Sequence, residues 1–254
     1  MRLSPFALID DLLAPAPPDP RRVERLLPLR FAHRGLHGNG RIENSRSAFT
    51  AAIARGHGIE LDVQASADLQ AIVFHDYELS RLTEESGRVA ERSAAELEKI
   101  GLKGSRDTIP SLKDVLQLIG GRVPLLVEVK SPDRKVAALC LAVSQALEDY
   151  EGPLGVMSFD PEVSRWFARH APQVARGLVV TEEGRRWRGA AERRLALWRA
   201  RPDFLAYDVR DLPSRFAERA RKRGIPVFTW TCRGEEQVKR AARHADQIIY
   251  EDPS

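Results

Sequence analysis

From residue 29 onward, short apolar runs alternate with longer segments of helical period. The strand-like runs occupy 29–33, 58–63, 71–75, 123–130, 154–159, 175–180, 204–209 and 226–230, eight in all. Segments with apolar residues at helical spacing follow most of them, at 45–55, 111–119, 133–150, 160–170, 182–200, 213–223 and 234–244. Ser45, Ser111, Asp133 and Asp160 stand where a side-chain oxygen can cap the first free N–H groups of a helix, and Pro161 suits a first helical position. Repeated strand-then-helix units predict a parallel sheet, and eight of them predict closure into a (β/α)8 TIM barrel. The rhythm breaks once, where about 35 residues (76–110) separate the third run from the next helix, well beyond an ordinary connection. A small insertion at the barrel mouth after strand 3 is expected there. An open doubly wound sheet is the rival architecture, but no G-x-G-x-x-G follows the first run. Residues 1–28 read as an N-terminal extension ahead of a barrel spanning 29–254. The extension has a short apolar stretch at 8–13, the stiff APAPPDP at 14–20 and a short helical segment at 21–27.

Alternation along two of the strands puts charge where a barrel should be apolar. Ile59, Leu61 and Val63 share one face, and Glu60 and Asp62 share the other. Likewise Leu125, Val127 and Val129 oppose Leu126, Glu128 and Lys130. The apolar faces must meet the helices, so the carboxylates point into the lumen near the C-terminal strand ends, where barrel sites lie. Three carboxylates converging in a partly dry pocket repel one another. A divalent cation would remove that conflict, and all-oxygen ligation favours Mg²⁺, Ca²⁺ or Mn²⁺ over zinc. The alternative is a structural network in which Lys130 and arginines pair with the acids.

His33 and His75 each close an apolar run, and imidazole titrates near neutrality, so the pair can serve as base and acid in one cycle. His37, in the loop after His33, is the close competitor; His57, His170 and His244 lack such placement. Arg34 and Lys130 bring fixed positive charge to the same mouth, and an arginine can hold a phosphate oxygen bidentately. Trp230 faces inward if Phe228 does, with core packing as its alternative role. No G-x-S-x-G or Cys/His/Asn pattern supports serine or thiol chemistry.

Composition narrows the classes further. Of 254 residues, 43% are hydrophobic, which excludes a disordered chain. Forty Lys+Arg against 36 Asp+Glu leave a net charge of +4, too little to demand a polyanion. Arg185, Arg186, Arg188, Arg193, Arg194, Arg199 and Arg201, interleaved with Trp187 and Trp198, leave nucleic-acid binding as a competing reading. A solvated helix face is favoured, so no nucleic acid is expected as partner. Cys140 and Cys232 cannot build a disulfide framework, which suggests a reducing compartment. No run approaches the roughly 18 residues of a membrane span. The first apolar run, 6–9, ends at Asp10 and Asp11, unlike a secretion signal. A cytoplasmic protein with no stable membrane insertion is expected; the oligomeric state stays open.

The same residues form an ordered pattern that resembles the glycerophosphodiester phosphodiesterase family. The matching segments are HRG at 33–35, ENS with A-F at 43–49, ELDV at 60–63 and VFHD at 73–76. They continue with L-x-R-x-T and a later Gly at 79–87, IPSL at 109–112, VEVK at 127–130, VFTWT at 227–231 and IIYEDP at 248–253, which resembles the family's closing strand and turn. The resemblance runs from about residue 30 to the C-terminus. It implies metal-dependent hydrolysis of a small-molecule glycerophosphodiester to sn-glycerol 3-phosphate and an alcohol, through a cyclic phosphate. By resemblance, His33 and His75 are the acid/base pair, and Glu60, Asp62 and Glu128 hold one divalent cation, Mg²⁺ or Ca²⁺, with Mn²⁺ also fitting. Arg34 and Lys130 contact phosphate, Trp230 lies near the glycerol end, and Glu43 and Asn44 support the site. Phospholipase D-type enzymes acting on lysophospholipid or sphingolipid share a similar site and form the alternative. Where the family usually carries Thr-x-Asp-Gly, this chain has Ser66-Ala67-Asp68-Leu69, and Leu69 is expected to avoid the positive φ that Gly accepts. The closing segment has Tyr250-Glu251 where Thr-Asp is commoner.

Overall fold

A computed structural model describes residues 17–130, 136–182 and 187–252. In chain order the strands are β1 (Phe31–Ala32), β2 (Gly58–Ala65), β3 (Ala71–Val73), β4 (Leu125–Val129), β5 (Leu154–Ser158), β6 (Ala175–Val180), β7 (Phe204–Asp208), β8 (Val227–Arg233) and β9 (Gln247–Glu251). The helices are α1 (Arg46–Ala54), α2 (Ala94–Leu97), α3 (Leu112–Ile119), α4 (Val136–Ala146), α5 (Pro161–His170), α6 (Trp187–Ala200), α7 (Arg215–Lys222) and α8 (Glu235–His244). All strands but β3 run parallel in one ring, and β1 closes it by pairing with both β2 and β9. The molecule is a (β/α)8 barrel.

The caps act as expected at three helix starts. Ser45 accepts from the Ala48 N–H, Ser111 from the Asp114 N–H and Asp160 from the Glu162 N–H, with Pro161 in the first turn. Asp133 lies outside the described residues, as do 1–16, which carry the first apolar stretch and the start of APAPPDP.

One strand assignment is corrected. The run at 71–75 is not a barrel strand. Its β3 pairs antiparallel with the far end of β2, Val63 opposite Val73, and β9 takes the eighth place in the ring. The physical reason is connection length. A parallel crossover needs a dozen or more residues, and the turn between β2 and β3 is far shorter, so the chain can only double back. The second expectation to fail is at that turn, where Leu69 adopts φ +60. Its strain is offset by a tight net: Ser66 Oγ donates to Asp68 and accepts from the Gln70 N–H, while the Leu69 N–H donates to the Ser66 carbonyl. The Leu69 side chain stays exposed.

Two apolar layers enclose the sheet. Ile59, Leu61, Val63, Leu125, Val127 and Val129 pack outward against the helices, as the alternation requires. The lumen is filled from its base by Phe31, Leu126, Phe204 and Phe228, with Phe204 and Phe228 stacked at 4.7 Å between ring centroids. Gly177 makes room for this layer, since a Cβ there would lie 2.4 Å from the Phe204 ring. Leu26, on a 3₁₀ turn (Glu24–Leu26), joins the same cluster from below. Beyond β3, Leu79, Val89, Leu97, Ile100 and Leu102 pack with Ile72 and Phe74 into a separate small core beside the barrel.

Candidate active site

The carboxylates come together because β2 and β4 are neighbours in register. Asp62 stands opposite Glu128 and Glu60 opposite Leu126, so period two turns all three acids toward the mouth. One carboxylate oxygen from each of Glu60, Asp62 and Glu128 lies within 4.8 Å of the others. Glu60 and Asp62 are only 1% exposed. Lys130 Nζ sits 3.0 Å from Glu128 and 3.2 Å from Asp62. Arg34 Nε is 3.1 Å from Asp62, and the Arg34 backbone N–H donates to Glu60 at 3.0 Å.

That last bond explains the turn after β1. Arg34 is left-handed, φ +54, and so is Asn44, φ +55. The Asn44 N–H donates to the Arg34 carbonyl, and its side chain donates to Asp62 at 2.9 Å. Gly35 follows at φ +77, where a Cβ would meet Phe49 and Ala48 at about 3 Å. Glu43 holds the Arg34 guanidinium at 2.8 Å. The HRG and EN segments are therefore one cross-braced loop.

The electrostatics are unbalanced. Burial, then repulsion from Asp62 and Glu128, pushes the Glu60 carboxyl well above its ordinary range. Burial also pushes Asp62 up, but Lys130 and Arg34 outweigh it and bring it down to about 2. Glu128 is raised, again by burial first and with Asp62 adding to it, against the pull of Lys130. Three hard oxygen donors in mutual conflict fit a divalent cation of the Mg²⁺, Ca²⁺ or Mn²⁺ type. His33, His37 and Glu251 also converge within 4.8 Å. There, however, both Glu251 oxygens already serve His33 and Arg233.

Both histidines border one cavity of 360 Å³, together with Arg34, Glu60, Glu128 and Trp230. His33 Nδ1 lies 2.6 Å from Glu251, and its Nε2 is 3.9 Å from Glu60. His75 Nδ1 lies 2.6 Å from Asp76. A carboxylate only accepts, so in the neutral ring each Nδ1 carries the proton and each Nε2 is left with a lone pair, the atom that can gain or lose a second proton. Burial lowers the pKa of both rings, more than their carboxylates raise it. Arg81 grips Asp76 and, at 2.7 Å and 3.1 Å, Glu43, which ties His75 to the loop carrying Arg34. Trp230 packs against the lumen cluster, donates from Nε1 to the Ala206 carbonyl at 2.9 Å, and meets Phe159 edge-on.

The ten residues predicted for the site, His33, His75, Glu60, Asp62, Glu128, Arg34, Lys130, Trp230, Glu43 and Asn44, thus lie around one mouth. Asp76, Arg81, Glu251 and Arg233 were not singled out. Asp76, Arg81 and Glu251 stood inside quoted motifs, but Glu251 lies 218 positions from its histidine, and nothing local pairs the two. A larger cleft, 1050 Å³, lies at the base between the 3₁₀ turn and α7. Its Arg221 is paired with Asp246 and its Lys222 with Glu218, so it has no comparable conflict of charge.

Residues 33–254 match the model of the glycerophosphoryl diester phosphodiesterase family. The chain belongs to that family. It is therefore an enzyme of the phosphoric diester hydrolase class. A glycerophosphodiester phosphodiesterase of Caldanaerobacter subterraneus subsp. tengcongensis is 29% identical over 240 residues, covering 89% of this chain and 94% of that protein. Among solved structures, a phosphodiesterase of Oleispira antarctica in complex with the product sn-glycerol-3-phosphate superposes with a TM-score of 0.79. It is 24% identical over 90% of this chain and 94% of that one. The Thermotoga maritima glycerophosphodiester phosphodiesterase gives a TM-score of 0.70 at 24% identity, covering 87% and 94%. These two likenesses bear on the fold.

Proposed function

We propose that the protein hydrolyses small glycerophosphodiesters to sn-glycerol 3-phosphate and an alcohol, using His33 and His75 as its acid/base pair. One divalent cation, Mg²⁺ or Ca²⁺ with Mn²⁺ as a further candidate, would be held by Glu60, Asp62 and Glu128. The observation that carries this reading is two imidazoles with Nδ1 anchored, bordering one cavity with Glu60 and Glu128, two of the three carboxylates in conflict. When bound, the cation supplies Lewis-acid stabilisation of phosphoryl charge. One imidazole takes a proton on Nε2 from the neighbouring glycerol hydroxyl, whose oxygen attacks phosphorus. The other, which enters this step as the imidazolium with a second proton on Nε2, gives that proton to the departing alcohol, and a cyclic phosphate forms. Water then opens the ring with the histidine roles exchanged. Arg34 and Lys130 stabilise the phosphate's negative charge. Trp230 walls the glycerol end, while Glu43 and Asn44 hold Arg34 and Asp62 in place. The product found with the Oleispira antarctica enzyme is the one proposed here.

A panel of glycerophosphodiesters assayed after EDTA, and after return of Mg²⁺, Ca²⁺ or Mn²⁺, tests the reading. Turnover should vanish and then recover; undiminished turnover after chelation would refute the cation's part. One observation favours a second reading, phospholipase D-type action on a lysophospholipid or sphingolipid. A groove of 640 Å³ runs on from Glu128 and Lys130 past exposed Tyr77, Phe159 and Leu195. Glycerophosphocholine should outrun its long-chain lysolipid analogue, and the reverse order would select the second reading.

A nucleic-acid partner is not proposed. Arg193 is paired with Glu182 and Arg199 with Glu162, while Arg185, Arg186 and the side chains of Trp187 and Arg188 lie outside the described residues. Among the described residues no helix is long and apolar enough to cross a membrane. Cys140 and Cys232 are free and buried, and a cytoplasmic location remains the proposal.

A further inference from the structure

We propose that Glu251, braced by Arg233, positions His33 by holding it as the Nδ1–H tautomer with Nε2 turned to the cavity. The proposal rests on the reading of His33 as one member of the acid/base pair. Three adjacent strand ends build the unit. Arg233, the last residue of β8, stands in register with Glu251, the last residue of β9. Ala32 of β1 stands in register with Tyr250, and the His33 N–H donates to the Tyr250 carbonyl at 2.9 Å. Arg233, Glu251 and His33 therefore lie in one row across the sheet, each spaced from the next by the backbone ladder. Arg233 grips both Glu251 oxygens, at 2.5 Å and 2.8 Å, and Glu251 Oε1 lies 2.6 Å from His33 Nδ1. A carboxylate pinned on its far side by a guanidinium cannot turn away from the imidazole. It presents only an acceptor, so the ring proton stays on Nδ1. His37 Nε2, 3.9 Å from the same oxygen, is too far to compete as a hydrogen-bond donor. A group that fixes tautomer and orientation leaves substrate binding unchanged and slows the proton-transfer step.

Three measurements on the intact chain test this. Nitrogen-15 NMR of Mg²⁺-saturated wild-type protein should show His33 protonated on Nδ1 and bare on Nε2. Glu251→Gln should lower kcat for glycerophosphocholine on the order of 10²-fold with KM within about twofold, and should redistribute the His33 tautomers. Glu251→Asp, which keeps the charge, should recover part of the rate. A wild-type ring protonated on Nε2 overturns the proposal, and this result needs no variant to fold. A folded Glu251→Gln with wild-type kcat, or with unchanged tautomers, also overturns it, as does a Glu251→Asp no faster than the amide. A wild-type enzyme inert toward every glycerophosphodiester sinks the functional reading instead, while the tautomer measurement still decides the role of Glu251.

Discussion

The two ends of the barrel handle buried charge in opposite ways. At the base, Asp203 is 1% exposed and lies beside Arg176 and Arg22, accepting from the Arg176 backbone and from both guanidinium groups at 3.0 Å, 3.2 Å and 3.0 Å. One acid faces two arginines there, beside a lumen packed with Phe31, Phe204 and Phe228. At the mouth, Glu60, Asp62 and Glu128 share Arg34 and Lys130, and the Glu60 carboxyl is driven well above its ordinary range by burial and by its neighbours. At the base the charge is answered within the chain; at the mouth it is left over, and the proposed cation would answer it.

Removing the cation should have the largest effect. Chelation is expected to cost on the order of 10³-fold or more in rate. Added Mg²⁺ should raise the thermal midpoint of the wild type but not of Asp62→Ala. A cation-indifferent midpoint in the wild type would break the contrast between the ends. His33→Ala and His75→Ala should each cost about 10² to 10⁴-fold in kcat with the thermal midpoint nearly unchanged, measured by steady-state assay and calorimetry. At the base the opposite split is expected. Asp203→Ala strands the buried Arg176 guanidinium and should destabilise by about 3–5 kcal/mol, read by urea titration, while the folded fraction keeps its kcat. A fall in kcat per folded molecule would show that the base also serves the chemistry.

The smallest effect sharpens the electrostatic side. Burial pushes Asp76 up, but hydrogen bonds from Arg81 and His75 hold it down at about 2 against an ordinary 3.8. A depressed carboxyl adds stability that is fully present above pH 3.8 and lost as the pH falls toward 2. Asp76→Asn should flatten that stretch of the thermal midpoint against pH, and an unchanged slope would show that the Arg81 bridge adds nothing.

Much of this site is legible in the chain because strands alternate their faces. Glu60, Asp62 and Glu128 could be assigned to the lumen from spacing alone, and β2 and β4 proved to be neighbours in register. Ser45, Ser111 and Asp160 announced their helices for an equally local reason, since a cap acts within one turn. Reading 71–75 as a barrel strand failed because an apolar run shows its period and not its direction. The number of turn residues before it carried that information. Leu69 failed because its backbone is set by hydrogen bonds around Ser66 rather than by its own preference.

The sequence by itself determined the alternation of strand and helix, the outward and inward faces of β2 and β4, and the placing of His33 and His75 at the ends of apolar runs. Each depends on neighbours a few positions away, where geometry is periodic. Only the tertiary structure decided that β3 leaves the ring, that β9 closes it, and that Arg233, Glu251 and His33 form one row. These are outcomes of barrel closure, which pairs the first strand with the last and brings together side chains that no local pattern connects.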